Sequence, residues 1–574
     1  MSCKFISELR RLSKLSAEAV QNLDSFDPIK KYLHVTRRTE TDFKDLMQSI
    51  STISHKQLIL VCGSAGDGKS HLLSHLKYND PQGILADYEI INDATESNAP
   101  RETAIETLAG RIAAFRDDRL NDRGLEKIVL AINLGMLNNF IDSEIGKDFF
   151  SLKSYVINNN IFSVAETLPR DRNGFFQHIN FSDYQLYTLT AEGAKSTYLQ
   201  ELFSKVFSKN PENPFYEAYI QGSTCPHHIH CPVRHNFEFL MDEQVQAQLI
   251  QRIIEMCIKD KLIVTSRDIF NFIFDAIASS DFDDKQFWKT ISSPAKFLES
   301  YIAFTTPMRI FENNGVSDLI DCMTSYSTKR ENAELRDAEV LSFYASDDIT
   351  ETVLSALGDS QYSDMLKSYD LSTIDNNRDD LKKYIYKFVM HYQELAGSKI
   401  LATDEVYNHF VLDMFNAYAG NKQELKDLYN AVKDSIYAWD GIYGNDLICI
   451  DDSNDDYNIL EQLIIKFDVL PGTGESEIFQ FAPAITVRFK NEAGTDNVAF
   501  SLDYSLYKLI MAMQNGYCPT SQDRNIHADF ASGVKALAEF GSKKARVIIV
   551  PKRRTASDKY LLEESDFGYS FKEV

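Results

Sequence analysis

The residues that most directly promise chemistry stand at positions 63 to 70, GSAGDGKS, with the spacing G-x-x-x-x-G-K-S. Gly63 and Gly68, with Gly66 between them, let backbone N–H groups turn toward an anion where a side chain would obstruct. Lys69 would then reach the β and γ phosphates of a nucleotide. Ser70 would hold Mg2+, an ion that prefers hard oxygen ligands. Asp67 and His71 complete the stretch and are counted with the binding residues. ATP with Mg2+ is the ligand this pattern calls for; the alternative is an accidental glycine turn ahead of a helix.

A phosphate loop needs a strand before it and a helix after it. QLILVC, residues 57 to 62, is an apolar run of strand length, and Leu72, Leu73 and Leu76 recur at helical spacing until YNDPQG breaks the pattern. Hydrolysis further needs a carboxylate for the metal and a group to polarise water. Asp93, at the end of YEIIND, is the first candidate for Mg2+, and Glu96 the candidate for water. Asp93 also fits a plain turn former. Only 24 residues separate Lys69 from Asp93, fewer than expected if another strand lies between them. A second run, KIVLAIN, ends at Asn133 without a carboxylate; it resembles the strand of AAA+ and related ATPases whose terminal polar residue senses the γ-phosphate. Arg267 follows Thr265 and Ser266, either of which can cap a helix with Phe270, Ile273, Phe274 and Ile277 on one face. A guanidinium in a first helical turn opposes the helix dipole, so it suits a bound anion, as in AAA+ lids, or an ordinary ion pair. Arg170 and Arg172 are loop arginines that an adjoining subunit could receive as a finger.

Cysteine and histidine crowd together in TCPHHIHCPVRHN, residues 224 to 236, within a chain holding 12 histidines. Cys225, His228, Cys231 and His235 form a ligand set chemically suited to tetrahedral, structural Zn2+. Their spacing leaves no loop between the two halves of a site, so a polar, partly buried turn is the competing reading.

Size and composition set the frame for these motifs. At 574 residues, 44% hydrophobic and 12% aromatic, the chain has material for several cores. No stretch reaches the ~18 apolar residues of a membrane span, and the basic residues of the N-terminus sit in an amphipathic helical pattern without a secretory signal. Eight scattered cysteines suit a reducing cytoplasm and free thiols. A net charge of −24 argues against a surface that grips DNA throughout.

The expected fold class is α/β: a P-loop NTPase core of the AAA+/ASCE kind with a helical lid and a helical middle region, plus a C-terminal α+β domain. The expected division is an N-terminal helical segment (1–50), the ATPase core and lid with the Cys/His insertion (51–280), a mainly helical region (281–445) and the α+β domain (446–574). In the last, AITVRFKNEAGTDNVAFSLDY reads as a hairpin and ARVIIV as a strand. Lys543, Lys544, Arg546, Lys552, Arg553 and Arg554 bracket that strand, as a nucleic-acid or acidic-partner contact or as a charged edge that blocks strand pairing.

Taken in order, GDGKSHLLSHL, INDATESNAPRETAIETL, VLAINLGMLNNF, HINFSDYQLY, CPVRHN, TSRDIFNFIFD and LDYSLYKLIMAMQNGYCP resemble the bacterial DptF family, also called DndF. The resemblance implies the ATPase component of a phosphorothioation-dependent restriction system, an antiviral defence against DNA lacking the sulfur mark. It implies work with G and H partner subunits, with DNA reached through the complex and no membrane involved. A nucleotide-gated scaffold that binds ATP with little turnover is the alternative.

Overall fold

The computed structural model describes every residue except 1–2, 19–27, 65, 80, 93–102, 163–170, 279–281, 283, 314, 328–339, 347, 369–370, 372–378, 397–403, 442, 444–445, 452–453, 541–545, 553–558, 566–567 and 574. The chain divides into two compact units, Met1–Tyr187 with Ser196–Ala402, and Thr188–Lys195 with Thr403–Val574.

The first unit is organised by four parallel strands, β1 (Gln57–Gly63), β2 (Glu89–Ile91), β3 (Lys127–Asn133) and β4 (Phe176–Asn180), in the order β2-β3-β1-β4. Around them lie α1 (Lys4–Glu18), α2 (Arg38–Ile50), α3 (Lys69–Asn79), α4 (Leu134–Asp142) and, further along, α5 (Ser266–Ile277). Every residue of β1 is buried, as a parallel strand covered on both faces requires. Strand alternation divides the core in two. Leu58, Leu60 and Cys62 share one face with Ile128, Leu130 and Ile132 and meet Leu137 and Phe140 of α4. Ile59, Val61, Val129 and Ala131 share the other with Leu72, Leu73 and Leu76 of α3. Each such side chain contributes ~1.5–3 kcal/mol by leaving water.

Phe43, Leu46, Met47 and Ile50 of α2 pack into this second face. The sequence reading set residues 1–50 apart; the i, i+3, i+4, i+7 spacing of these four side chains instead makes α2 a layer of the sheet domain. On α5 the fully buried face is Ile269, Phe272, Ile273, Phe274, Ala276 and Ile277, so Phe270 is displaced from the stripe expected for it. From Thr197 to Leu395 the described regular elements of this unit are all helical.

The second unit holds three small sheets. A β-hairpin of β5 (Tyr184–Thr190, which begins in the first unit) and β6 (Gly193–Lys195) joins β10 (Glu477–Gln480). The expected hairpin is β11 (Ile485–Lys490) against β12 (Asn497–Leu502), in register from Ile485↔Leu502 to Lys490↔Asn497. Five strands form the third sheet, and in it β13 (Arg546–Pro551) is interior, paired with Tyr457–Gln462 on one side and Tyr560–Ser565 on the other. That position removes the charged-edge reading of its basic residues. Arg546 pairs with Glu563 at 3.0 Å, while Lys543, Lys544, Arg553 and Arg554 lie outside the described residues. Helices Glu405–Ala419 and Lys426–Ala438, which the sequence reading grouped with the helical middle, belong to this unit because Tyr507 donates to Asp413 at 2.7 Å and Trp439 meets Phe530 at 4.8 Å. All eight cysteines are free, and among the described residues no helix is long and apolar enough to cross a membrane.

One ion-pair cluster in the first unit makes stability depend on acid. His391 Nε2 lies 3.0 Å and Lys387 Nζ 2.6 Å from the Glu312 carboxylate, and these partners, His391 foremost, hold that carboxyl at about 2 against an ordinary 4.5. A depressed carboxyl stabilises the fold above its unfolded value and loses that contribution as pH falls toward its folded value. Glu312→Gln should therefore lower the free energy of unfolding at pH 7, and the gap to wild type should close between about pH 5 and pH 2; chemical denaturation across that range measures it.

Candidate functional site

The carboxyl end of β1 runs into a loop, and α3 begins at Lys69. The turn depends on glycine. Gly63, Gly66 and Gly68 have φ of 152°, 90° and 95°, in the region other residues avoid. A Cβ on Gly63 would stand 2.7 Å from Asp67 Oδ2 and 2.9 Å from Phe181 Cβ, and one on Gly66 would stand 3.1 Å from Thr265 Oγ1. Among the described residues, no atom stands within 4 Å of the Cβ position of Gly68, just before the helix.

Inside the loop, the Ser64 N–H donates to Asp67 Oδ2 at 2.5 Å. Lys69 Nζ donates to the carbonyls of Gly63 at 3.1 Å and Ser64 at 2.5 Å. Burial pushes the Asp67 carboxyl up from its ordinary value, against the pull of Lys69, the Ser64 amide and Arg37. From outside, Arg37 Nη1 donates to the Asp67 carbonyl at 2.9 Å. The same guanidinium lies over the rings of Phe181 at 5.7 Å and Tyr198 at 5.3 Å, and the Tyr198 hydroxyl donates to Ser266 Oγ at 2.8 Å. The amino end of α5 thus sits against the loop. Thr265 and Asp268 cap it reciprocally, which satisfies two helix amides.

Arg267 lies in the first turn of α5, and its Nε is buried with no hydrogen-bond partner among the described residues. A buried donor of that kind costs ~1–3 kcal/mol unless something accepts from it. Asn133 ends β3 directly beside Gly63, as its register partner. Its Oδ1 caps α4, accepting from the Met136 amide at 2.6 Å. Asp93, Glu96 and Arg170 lie outside the described residues; β2 is described to Ile91, two residues short of Asp93, and Arg172 stands in a turn. His71 turns out to meet His34: its Nε2 lies 3.0 Å from His34 Nδ1.

The proposed zinc ligands are not gathered. His228 Nδ1 lies 2.7 Å from the carbonyl of Cys225, and His235 is carried on helix Pro232–Leu240 to Tyr301, where Nδ1 and the hydroxyl are 2.6 Å apart. Nearby, His227 stacks on Trp288 and His230 meets Met365. Burial raises the Cys231 thiol to about 12, which keeps it protonated. Among the described residues, the one group of three or more His, Cys, Asp or Glu ligand atoms lying within 4.8 Å of one another is His34, Glu40 and His75.

Three contributors escaped the sequence reading: Arg37, Thr265 as a loop contact, and the histidine cluster. Only the last had a local signal, since His71 and His75 stand at i, i+4, the spacing of helical metal ligands. Compared with known proteins, the chain matches no family model and no curated protein.

Two glycines make opposite predictions. Gly66→Ala should cost ~1–3 kcal/mol through its positive φ and the contact with Thr265. Gly110→Ala, in helix Ala104–Arg111 with no atom of the described residues within 4 Å of its Cβ position, should stabilise by ~0.4–1 kcal/mol. Denaturant midpoints at equal m-value measure both.

Proposed function

We propose that this chain is the ATP-binding and ATP-hydrolysing subunit of a cytoplasmic, phosphorothioation-dependent DNA restriction complex, built on a P-loop NTPase core of the AAA+/ASCE kind. The register that seats Asn133 beside Gly63 carries the nucleotide reading, because it sets an amide donor next to the first glycine of the loop. Strand order adds to it. β3 lies between β1 and β2 in the sheet although it follows both in the chain, so β2 is reached from β1 with no strand between them in sequence. The resemblance to the DptF family supports the remainder: the G and H partners, DNA reached through the complex, and discrimination against DNA without the sulfur mark.

The loop fits a phosphate. Its glycines carry no side chain that would obstruct an amide, α3 contributes the partial positive charge of its amino end, and among the described residues nothing stands within 4 Å of the Cβ position of Gly68. Lys69 exchanges the carbonyls of Gly63 and Ser64 for the β and γ phosphates. Ser70 and Asp93 would hold Mg2+, which offsets charge on the phosphates. In this scheme Glu96 would polarise the attacking water, the Asn133 amide would donate to the γ-phosphate, and Arg267 would offer its buried Nε–H to the charge that develops on transfer.

Hydrolysis by wild type and Lys69→Ala, each alone and with both partners and unmodified or phosphorothioated duplex, tests the reading. Turnover should rise with partners and unmodified DNA and vanish in Lys69→Ala, whose ATP affinity should fall ~10–100-fold for loss of a charged hydrogen bond. Asn133→Asp keeps a good helix cap but replaces the donor with a carboxylate. It should leave ADP affinity unchanged while turnover falls ~10²-fold. ATP binding that nothing converts to turnover would select the nucleotide-gated scaffold instead.

A further inference from the structure

The histidines beside the phosphate loop form a group with a chemistry of its own. His34 precedes α2, Glu40 lies in its first turn, and His71 and His75 are one turn apart on α3. His34 Nε2 lies 3.1 Å from Glu40 Oε2, and the rings of His34 and His75 stack with centroids 3.5 Å apart and planes 12° apart. Glu40 is buried, 3% exposed, and its other oxygen accepts from Lys44 Nζ at 2.7 Å. Three partly buried imidazoles and a buried carboxylate are thus collected from two helices that both pack on the same face of the sheet and from the residue stretch that leads into the first of them.

We infer that His34, Glu40 and His75 form a binding site for a divalent transition ion, Zn2+ foremost, distinct from any Mg2+ at the nucleotide. Two imidazole nitrogens and one carboxylate oxygen are borderline donors that suit Zn2+, whereas Mg2+ takes oxygen ligands and keeps its waters. The three ligand atoms already lie within 4.8 Å of one another. A tetrahedral Zn2+ with bonds of ~2.0–2.1 Å draws its donors closer than that, and the stacked His34 and His75 rings must turn out of parallel so that their lone pairs converge. His71, in contact with His34, orients that ring as an outer partner.

The site's position gives the ion a role. Arg37, three residues after His34, donates to the loop carbonyl of Asp67, and Lys69, two residues before His71, opens α3. An ion shared by His34, Glu40 and His75 would tie the two segments that hold the phosphate loop. The site itself stands on the histidine geometry and does not rest on the nucleotide reading.

Chelator-treated, full-length protein titrated with Co2+, followed by ligand-field absorption and then displaced by Zn2+, tests this. The expected result is one equivalent of bound ion with the intense spectrum of low coordination, a rise in Tm with Zn2+, and retention of both in Lys69→Ala and in the double variant Cys225→Ser/Cys231→Ser. His75→Ala and Glu40→Gln, each shown folded by circular dichroism, should weaken binding by more than the ~10–100-fold typical of losing an outer partner, and His71→Ala should fall within that range. Absence of stoichiometric binding would overturn the inference, as would binding that survives His75→Ala and Glu40→Gln. Loss of binding in the double cysteine variant would move the ion to the 225–235 segment and overturn it equally.

Discussion

Strand β1 is paired along both edges and covered on both faces, and the site depends on that confinement. A strand so held cannot shift its end without opening two ladders and two cores. The chain leaving at Gly63 must therefore turn within a few residues into α3, whose Leu72, Leu73 and Leu76 are already committed to the sheet. Fixed at both ends, the intervening loop has little freedom left. Three positive-φ glycines are the local solution. Preorganisation of this kind lowers the ordering cost that a ligand would otherwise meet on binding.

Support also comes from outside the loop. Arg37 grips the Asp67 carbonyl, Thr265 lies against Gly66, and Tyr198 links the Arg37 guanidinium to the start of α5. Movement of α5 would thus be felt at Gly66, and movement of α2 at Asp67. The histidine cluster occupies the same α2–α3 junction, so burial, loop geometry and ligand chemistry meet within two adjoining elements.

The segment from Cys225 to His235 shows why density of ligand residues is not a site. Its histidines are drawn off one by one by Trp288, Met365, Tyr301 and the backbone of Cys225. Helix Pro232–Leu240 carries His235 into the core, where its ring meets Tyr301. His34 and His75, 41 positions apart, end up stacked instead. Metal binding asks for convergence of lone pairs, and local spacing supplies that only when one element carries the whole set.

The sequence by itself determined the features that depend on neighbours along the chain. The glycine pattern of 63 to 70, the strand and helix that flank it, a cap for α5 at Thr265 or Ser266, of which the structure uses Thr265, and the hairpin at 485 to 502 each follow from backbone sterics and hydrophobic period. Tertiary structure alone decided the rest. That β3 takes the place between β1 and β2 in the sheet, although it follows both in the chain, is invisible in chain order. That α2 belongs to the sheet, that β13 is an interior strand, and that Arg37, Thr265 and His34 converge on the loop or its helix were equally hidden. Each of those contacts joins residues distant in sequence, and what selects them is the burial of one apolar face against another, a property of the assembled pair that neither segment carries alone.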